Sequence, residues 1–248
     1  MNTIYTCGIK INPISVDEVS AITEEWLREG KKGFQITGVN VEQIAYLRKY
    51  TEFEKYINAS DIVNIDGVSV YWYLKLKGYK LGGRSLCADI FQRLLQNADT
   101  NHRSIYLLGA TQDTIEKLTV IIGNRYKNIN IVGYHNGFFT DEQAVIKDIA
   151  EKNPDYLFIG MPSPFKERFI ATNKDILQTG ICFGVGGMFD IMAGNVKRAP
   201  RKVQDMGLEW LYRIIQNPVK HTRRVLKALI PCCVVFMKNL FETRRQTF

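Results

Sequence analysis

Residues 181–190 read Ile181-Cys182-Phe183-Gly184-Val185-Gly186-Gly187-Met188-Phe189-Asp190. The apolar run 181–185 overlaps three glycines in four positions. The run suits a strand buried on both faces. The glycines signal backbone outside the ordinary helix and strand regions, as in a phosphate-binding loop or nest. No Gly-Lys-Ser/Thr follows, so this is not the P-loop of nucleoside triphosphatases. Asp190 can cap or orient the loop. Gly184, Gly186, Gly187 and Asp190 are therefore candidate nucleotide-binding residues.

The same grammar recurs on either side. Short apolar runs at 33–39, Ile62–Ile65, Ser104–Gly109, 129–133 and Tyr156–Gly160 read as further strands. Amphipathic stretches lie between them. The segment 16–29 follows Ser15, a fitting N-cap, and places Val19, Ile22, Trp26 and Leu27 on one face. Segments 88–97 and 114–125 read similarly. For 141–152, Thr140 is the expected cap with Gln143 three residues on, and Pro154 ends the helix. Strands alternating with helices predict an α/β fold with a largely parallel sheet flanked by helices.

Two other strand ends carry candidate chemistry. Ile62–Ile65 runs into Asp66-Gly67, and ligands of open α/β sheets bind beyond the carboxyl ends of strands. Asp66 there is placed to act as a general base. The competing reading is that Asp66 caps the helix Val68–Leu76. Leu108-Gly109-Ala110-Thr111 is the second such turn. Gly109 and Ala110 would present a helix N-terminus to a phosphate. An ordinary βα turn explains them equally well.

Composition fits one large α/β unit or a unit with an appendage: 248 residues, 46% hydrophobic and 23% charged. The net charge of +8 is uneven. Residues 197–248 hold 12 Lys or Arg against 3 Asp or Glu, leaving residues 1–196 close to neutral. The division predicts an α/β core over 1–196 and a basic appendage over 197–248. Helices are expected at 207–215 and 219–229, split by Asn217-Pro218. Arg213, Lys220, Arg223, Arg224 and Lys227 alternate there with Trp210, Leu211, Ile215 and Leu226. A basic amphipathic helix of this kind suits an anionic membrane surface. The apolar patch 229–237 is too short to span a bilayer but can embed at its interface. Nucleic acid is the alternative partner for a basic tail, and the neutral body argues against it.

No run of 18 apolar residues and no secretory leader is read in the sequence. Five cysteines without a CxxC pair (Cys7, Cys87, Cys182, Cys232, Cys233) suit a reducing cytoplasm. The three histidines show no ligand spacing, there is no DxD triplet and no GxSxG. No metal site is expected.

Read together, these segments resemble the WecG/TagA/CpsF family of glycosyltransferases. The closest stretch is residues 183–224, FGVGGMFDIMAGNVKRAPRKVQDMGLEWLYRIIQNPVKHTRR. NIDGVSVYW, YLLGATQDTIEKL, IVGYHNGFF and PDYLFIGMPSPFKERFI support it, so that the likeness runs from about Gly33 to Arg224. The resemblance implies a Rossmann-like transferase that takes a sugar from a UDP-sugar without a bound metal or other cofactor. The implied acceptor is a polyprenyl-diphosphate-linked sugar of the N-acetylglucosaminyl-diphospho-undecaprenol type. The implied setting is cell-surface polysaccharide or teichoic acid biosynthesis, peripheral at the cytoplasmic face of the membrane. Homo-oligomerisation that shifts when the appendage docks is also implied.

By the same resemblance Asp66 is the base of an inverting displacement, Asn40 a cleft asparagine and Arg84 a pocket arginine. Arg213 and Arg223 are cations for the donor diphosphate. Cations there would stabilise charge growing on the leaving UDP, and an arginine fork suits phosphate. Three positions depart from the family pattern. Gly38 stands where threonine is usual, Lys166 replaces a cleft glutamine, and Lys220 replaces an appendage arginine. Lys166 would suit an acidic donor sugar. The departures also leave room for an inactive scaffold in a polysaccharide assembly complex.

Overall fold

The structure is a computed structural model. It describes residues 1–245, and the side chains of all of these except Lys220, His221, Arg224 and residues 241–245.

A hairpin opens the chain. β1 (Ile4–Thr6) and β2 (Ile9–Ile11) pair antiparallel, with Ile4 opposite Ile11. Cys7 and Gly8 between them have φ of 53° and 80°. Two positive φ values match the turn to the strands' twist. α1 (Val16–Arg28) begins in a capping box: Ser15 Oγ accepts from Glu18 N–H, and Glu18 Oε2 accepts from Ser15 N–H.

The α/β body follows. Its first part is β3 (Phe34–Val39), α2 (Val41–Lys49), α3 (Phe53–Asn58), β4 (Ile62–Ile65), α4 (Val68–Leu76) and α5 (Cys87–Thr100). Next come β5 (Ser104–Gly109), α6 (Gln112–Arg125), β6 (Asn130–His135), α7 (Glu142–Lys152), β7 (Tyr156–Gly160), α8 (Phe165–Leu177) and β8 (Ile181–Gly184). Four helices close the chain: α9 (Met188–Met192), α10 (Arg201–Asp205), α11 (Glu209–Gln216) and α12 (Pro218–Arg245).

The six strands β3–β8 form one parallel sheet in the order β4-β3-β8-β7-β5-β6. Every residue of β3, β4 and β8 is buried, as the apolar runs predict for a sheet covered on both faces. On one face α1, α5 and α6 bury Leu27, Phe91, Leu94 and Ile115 against Ile36, Phe158 and Phe183. On the other, α7 and α8 bury Ile146, Ile149, Phe169 and Ile170 against Leu157 and Ile159. A third cluster joins the hairpin, α2, α3 and α4 to Cys232 of α12.

The chain runs from β3 out to one edge, crosses to β5 and the other edge, then returns through β7 and β8 to the middle. The carboxyl ends of β3, β4, β7 and β8 thus gather where the order reverses, which is where such sheets open a crevice.

Four local readings change. The hairpin was not anticipated. α7 is capped by Asp141, whose Oδ1 accepts from Ala144 N–H at 3.0 Å, and not by Thr140. Two cap-competent residues stand side by side, and Asp141 takes the extended conformation that a cap needs. The helix expected to end at 229 instead continues to Arg245 through Pro231. A helix-interior proline costs about 3 kcal/mol, here offset by packing on either side of it. Cys232 is buried, and the Phe236 ring stacks on Tyr73 with centroids 3.9 Å apart. Asn239 Oδ1 accepts from Thr6 Oγ1 at 2.8 Å. Finally, Asp66 does not cap α4, whose N-cap is Gly67.

Candidate active site

Asp66 leaves the end of β4 and points across the crevice. Its Oδ1 accepts from Cys87 N–H at 2.8 Å, the first residue of α5. Its Oδ2 accepts from Asn40 Nδ2 at 3.2 Å. A carboxylate on an exposed helix N-terminus is favoured by the backbone dipole. So Asp66 holds a helix end after all, but that of α5.

Asn40 is fixed as tightly. It caps α2, its Oδ1 accepting from Glu42 N–H at 2.9 Å, and Gln43 Oε1 accepts from Asn40 N–H in return. The close approach that lets Asn40 reach Asp66 requires Gly67, because a Cβ there would lie 2.6 Å from Asn40 Cβ. The Asp-Gly pair in the sequence is explained by that contact.

From Asn40 a polar chain continues along the floor. Gln43 Nε2 donates to Ser163 Oγ at 2.7 Å, and Ser163 Oγ donates to Glu167 Oε1 at 2.7 Å. Lys166 Nζ donates to both Ser163 Oγ and Glu167 Oε1. Lys166 and Glu167 are both buried. The lysine that replaces the expected glutamine is therefore neutralised by its own neighbour, and offers no spare charge to a sugar carboxylate. Its stem lies over Gly184, where a Cβ would meet Lys166 Cδ at 2.9 Å.

The glycine loop forms the facing wall. Gly186 has φ 55°, and a Cβ added at Gly186 or Gly187 would meet nothing within 4 Å. That side of the loop is open space. Asp190 follows on α9, and its backbone oxygen accepts from Asn195 and Val196 N–H. The roof comes from the appendage: Arg198, Glu209 and Arg213 line the same cleft, which has a volume of about 320 Å³. Arg198 is spoken for by Asp89, at 2.8 Å. Arg213 makes no ion pair among the described residues. It is the cation left to meet a ligand's negative charge.

The departure at Gly38 also has a structural reason. A Cβ there would lie 2.1 Å from Cys87 Sγ. The space of a side chain on β3 is taken by a thiol from α5. Burial pushes the Cys87 thiol well up, and the nearby Asp66 carboxylate adds to this, so the sulfur sits in the cleft as a neutral thiol.

Eight of the twelve residues singled out from sequence line this cleft: Asn40, Asp66, Lys166, Gly184, Gly186, Gly187, Asp190 and Arg213. The other four do not. Arg84 Nη2 donates to Gln204 O at 2.6 Å and ties the loop before α5 to α10. Gly109 serves strand packing, since its Cβ would meet Gly160 C at 2.6 Å. Ala110, at φ 55°, receives Gly137 N–H on its carbonyl. Arg223 lines a separate groove between α2 and α12. Lys220 and Arg224 lie outside the described side chains. Gln43, Ser163 and Cys87 belong to the cleft and were not singled out. Gln43 had a signal, the Asn-x-x-Gln spacing of a capping box. Among the described residues no cluster of three or more His, Cys, Asp or Glu is arranged to hold a metal ion, and no helix is long and apolar enough to cross a membrane.

The sequence model of the Glycosyl transferase WecG/TagA/CpsF family matches residues 4–246, further in both directions than the motifs alone reach. A Bacillus subtilis protein is 35% identical over 193 residues, covering 78% of this chain and 75% of its own. A Bacillus spizizenii protein is 31% identical, with 83% and 79% covered. A Staphylococcus aureus protein is 27% identical over 235 residues, with 95% and 90% covered. All three relatives are named N-acetylglucosaminyldiphosphoundecaprenol N-acetyl-beta-D-mannosaminyltransferase.

Proposed function

Because the chain belongs to the WecG/TagA/CpsF glycosyl transferase family, we propose that this hexosyltransferase moves N-acetylmannosamine from its UDP-linked form to N-acetylglucosaminyl-diphospho-polyprenol. One observation carries the reading. A carboxylate held by Asn40 and the α5 N-terminus shares a cleft with Arg213, an arginine without an ion pair among the described residues.

The step follows from that pairing. Asp66 takes the proton from an acceptor sugar hydroxyl. The oxygen forms a bond to the anomeric carbon of the donor as the bond to the UDP oxygen breaks, which inverts that carbon. Arg213 stabilises the charge gathering on the departing diphosphate. The open face of Gly186 and Gly187 gives the nucleotide room. No metal is required in this scheme, so a chelator should leave turnover unchanged.

The appendage is read as the membrane contact. Trp210, Ile215, Val219, Leu226 and Ile230 are exposed on α11 and α12 beside the cations of the same helices. An exposed apolar strip with basic flanks lies well at an anionic interface. This strip supports a peripheral position, which we propose is at the cytoplasmic face of the membrane. Protein ending before Lys197 should no longer sediment with anionic liposomes. Sedimentation unchanged by the truncation would remove the appendage as the anchor. Self-association is read from sedimentation velocity with and without vesicles.

The reaction itself is tested by UDP release from a panel of UDP-sugars, with the lipid-linked acceptor in liposomes. Acceptor-dependent release from UDP-N-acetylmannosamine is expected. Release from another donor alone would change the sugar but not the class. No release by folded protein from any donor would overturn the reading.

A further inference from the structure

A second cavity is larger than the cleft. A groove of about 680 Å³ runs between α2 and α12, against about 320 Å³ for the cleft. Its α2 wall carries Arg48 and Lys49, and its α12 wall carries Arg223 and Lys227. All four are exposed, and none makes an ion pair among the described residues. Between the cations the floor is apolar: Ala45 and Tyr46 on one side, Ala228 and Pro231 on the other. Positions 223, 227 and 231 form one stripe at i, i+4 spacing. The neighbouring stripe, Leu226, Ile230 and Val234, is exposed to solvent.

Two features join this groove to the site already described. Glu42 lines both cavities. Its own N–H is held by Asn40, the residue bonded to Asp66. The groove and the cleft therefore meet at Glu42, next to the residue that is bonded to Asp66. Arg213 lies in the cleft and Arg223 lies in the groove, so the two appendage arginines do not share one phosphate site.

We propose that the α2–α12 groove is the subsite for the acceptor's lipid diphosphate, with Arg48, Lys49, Arg223 and Lys227 holding the diphosphate. The proposal rests on the acceptor reading given above and extends it. Charge complementarity supplies the argument. A diphosphate on an isoprenoid carries two adjacent anionic groups followed by a purely apolar chain. Four cations without ion pairs among the described residues, set along an apolar floor that continues into an exposed apolar stripe, match that order. Arginine forks and lysine ammonium groups both make charge-assisted bonds to phosphate oxygens. Arg223 is thereby moved from donor to acceptor, and Arg213 alone of the pair remains with the nucleotide.

The test uses the full-length protein in neutral detergent micelles. Binding of radiolabelled N-acetylglucosaminyl-diphospho-polyprenol is measured without any transfer, beside calorimetric binding of UDP. The double variant Arg48→Glu/Lys49→Glu lies on the exposed face of α2, away from the cleft. Each charged contact to phosphate is worth on the order of tenfold in affinity. Acceptor binding should weaken about 100-fold or more in the double variant, with UDP binding unchanged within twofold. Arg223→Ala should weaken acceptor binding about tenfold with UDP binding unchanged, whereas Arg213→Ala should weaken UDP.

Acceptor affinity unchanged in the double variant would overturn the proposal. So would a parallel loss of UDP affinity, which would make the groove a donor site. Loss of binding to acceptor-free anionic vesicles, with micellar acceptor affinity intact, would make it a bilayer headgroup site and also overturn it. Wild-type protein that binds UDP but no lipid-linked acceptor would instead remove the acceptor reading itself, and this subsite with it.

Discussion

Asp66→Asn separates the chemical role of this carboxylate from its structural one, and both can be sized. The aspartate now accepts two hydrogen bonds, from Cys87 N–H at 2.8 Å and from Asn40 Nδ2 at 3.2 Å. An asparagine amide has one oxygen. If that oxygen stays on Cys87 N–H, its NH₂ meets the Asn40 NH₂, donor against donor. Rotating Asn40 to present its oxygen would withdraw it from Glu42 N–H and uncap α2, a loss of about 1 kcal/mol. Removing the charge from the α5 N-terminus costs about 0.3–1 kcal/mol more. Together these lower Tm by roughly 3–8 °C for a domain of this size. A general base contributes about 10²–10⁴-fold to rate, which is about 3–5 kcal/mol of barrier. The two effects come apart in the reciprocal double variant Asn40→Asp/Asp66→Asn. There a carboxylate at position 40 can cap α2 and accept from the new amide. Stability should largely return while turnover stays low, because the carboxylate has moved away from the end of β4. The assay is UDP release at saturating acceptor, with thermal denaturation of the same samples. A folded Asp66→Asn enzyme within threefold of wild-type kcat would refute the reasoning. So would a double variant in which turnover returns together with stability.

Three further outcomes follow from the geometry. Gly38→Ala should destabilise by about 1–3 kcal/mol through overpacking against Cys87 Sγ, and Cys87→Ala in the same chain should restore most of the loss. Equal melting temperatures for the single and double variants would contradict this. Stability should fall at alkaline pH: burial raises the Tyr73, Tyr106 and Tyr156 phenols, with Glu24 beside Tyr156 and Asp148 beside Tyr106 adding to it. A raised folded value means stability is full below the unfolded tyrosine value near pH ~10 and is lost as pH rises toward the folded one. The slope is up to about 1.4 kcal/mol per pH unit for each tyrosine. Tyr156→Phe should show a shallower decline in Tm between pH 9 and 11, and an unchanged slope would count against the account. Arg213→Ala should raise KM for the UDP-sugar and lower kcat while leaving Tm within about 2 °C, since the side chain has no ion pair to lose among the described residues; a fall in Tm with donor kinetics intact would make it structural.

The parallel sheet was readable because its inner strands are mostly apolar runs bounded by polar or glycine-containing turns, as doubly covered strands need to be, while the edge strand β6 has no buried residue. The Asp66 and glycine-loop positions were readable for a related reason, since they stand at strand ends where the chain turns into the next helix, whereas Asn40 came from the family resemblance. The opening hairpin was hidden by length and turn chemistry. Its strands have three residues each, and Cys7-Gly8 lacks the Asn or Asp that usually marks a two-residue turn. The helix expected over 219–229 runs on through Pro231 because tertiary contacts beyond it, of Phe236 with Tyr73 and Asn239 with Thr6, decide the matter. The same limit explains Arg223 and Arg84. Where a long appendage helix lays its side chains depends on which distant helix it crosses, and no local pattern records that α12 crosses α2. Gly109 shows the converse: a glycine at a strand end that looked like a phosphate turn is there because β5 and β7 approach closely at Gly160.

The most direct test of the central claim is the mass of the lipid-linked product. N-acetylglucosaminyl-diphospho-polyprenol would be incubated with UDP-N-acetylmannosamine, the enzyme and a metal chelator, then analysed by mass spectrometry. The account predicts an acceptor heavier by one N-acetylhexosamine residue, formed by the wild type and nearly absent with Asp66→Asn. An acceptor of unchanged mass after incubation with folded, acceptor-bound wild-type enzyme would contradict it.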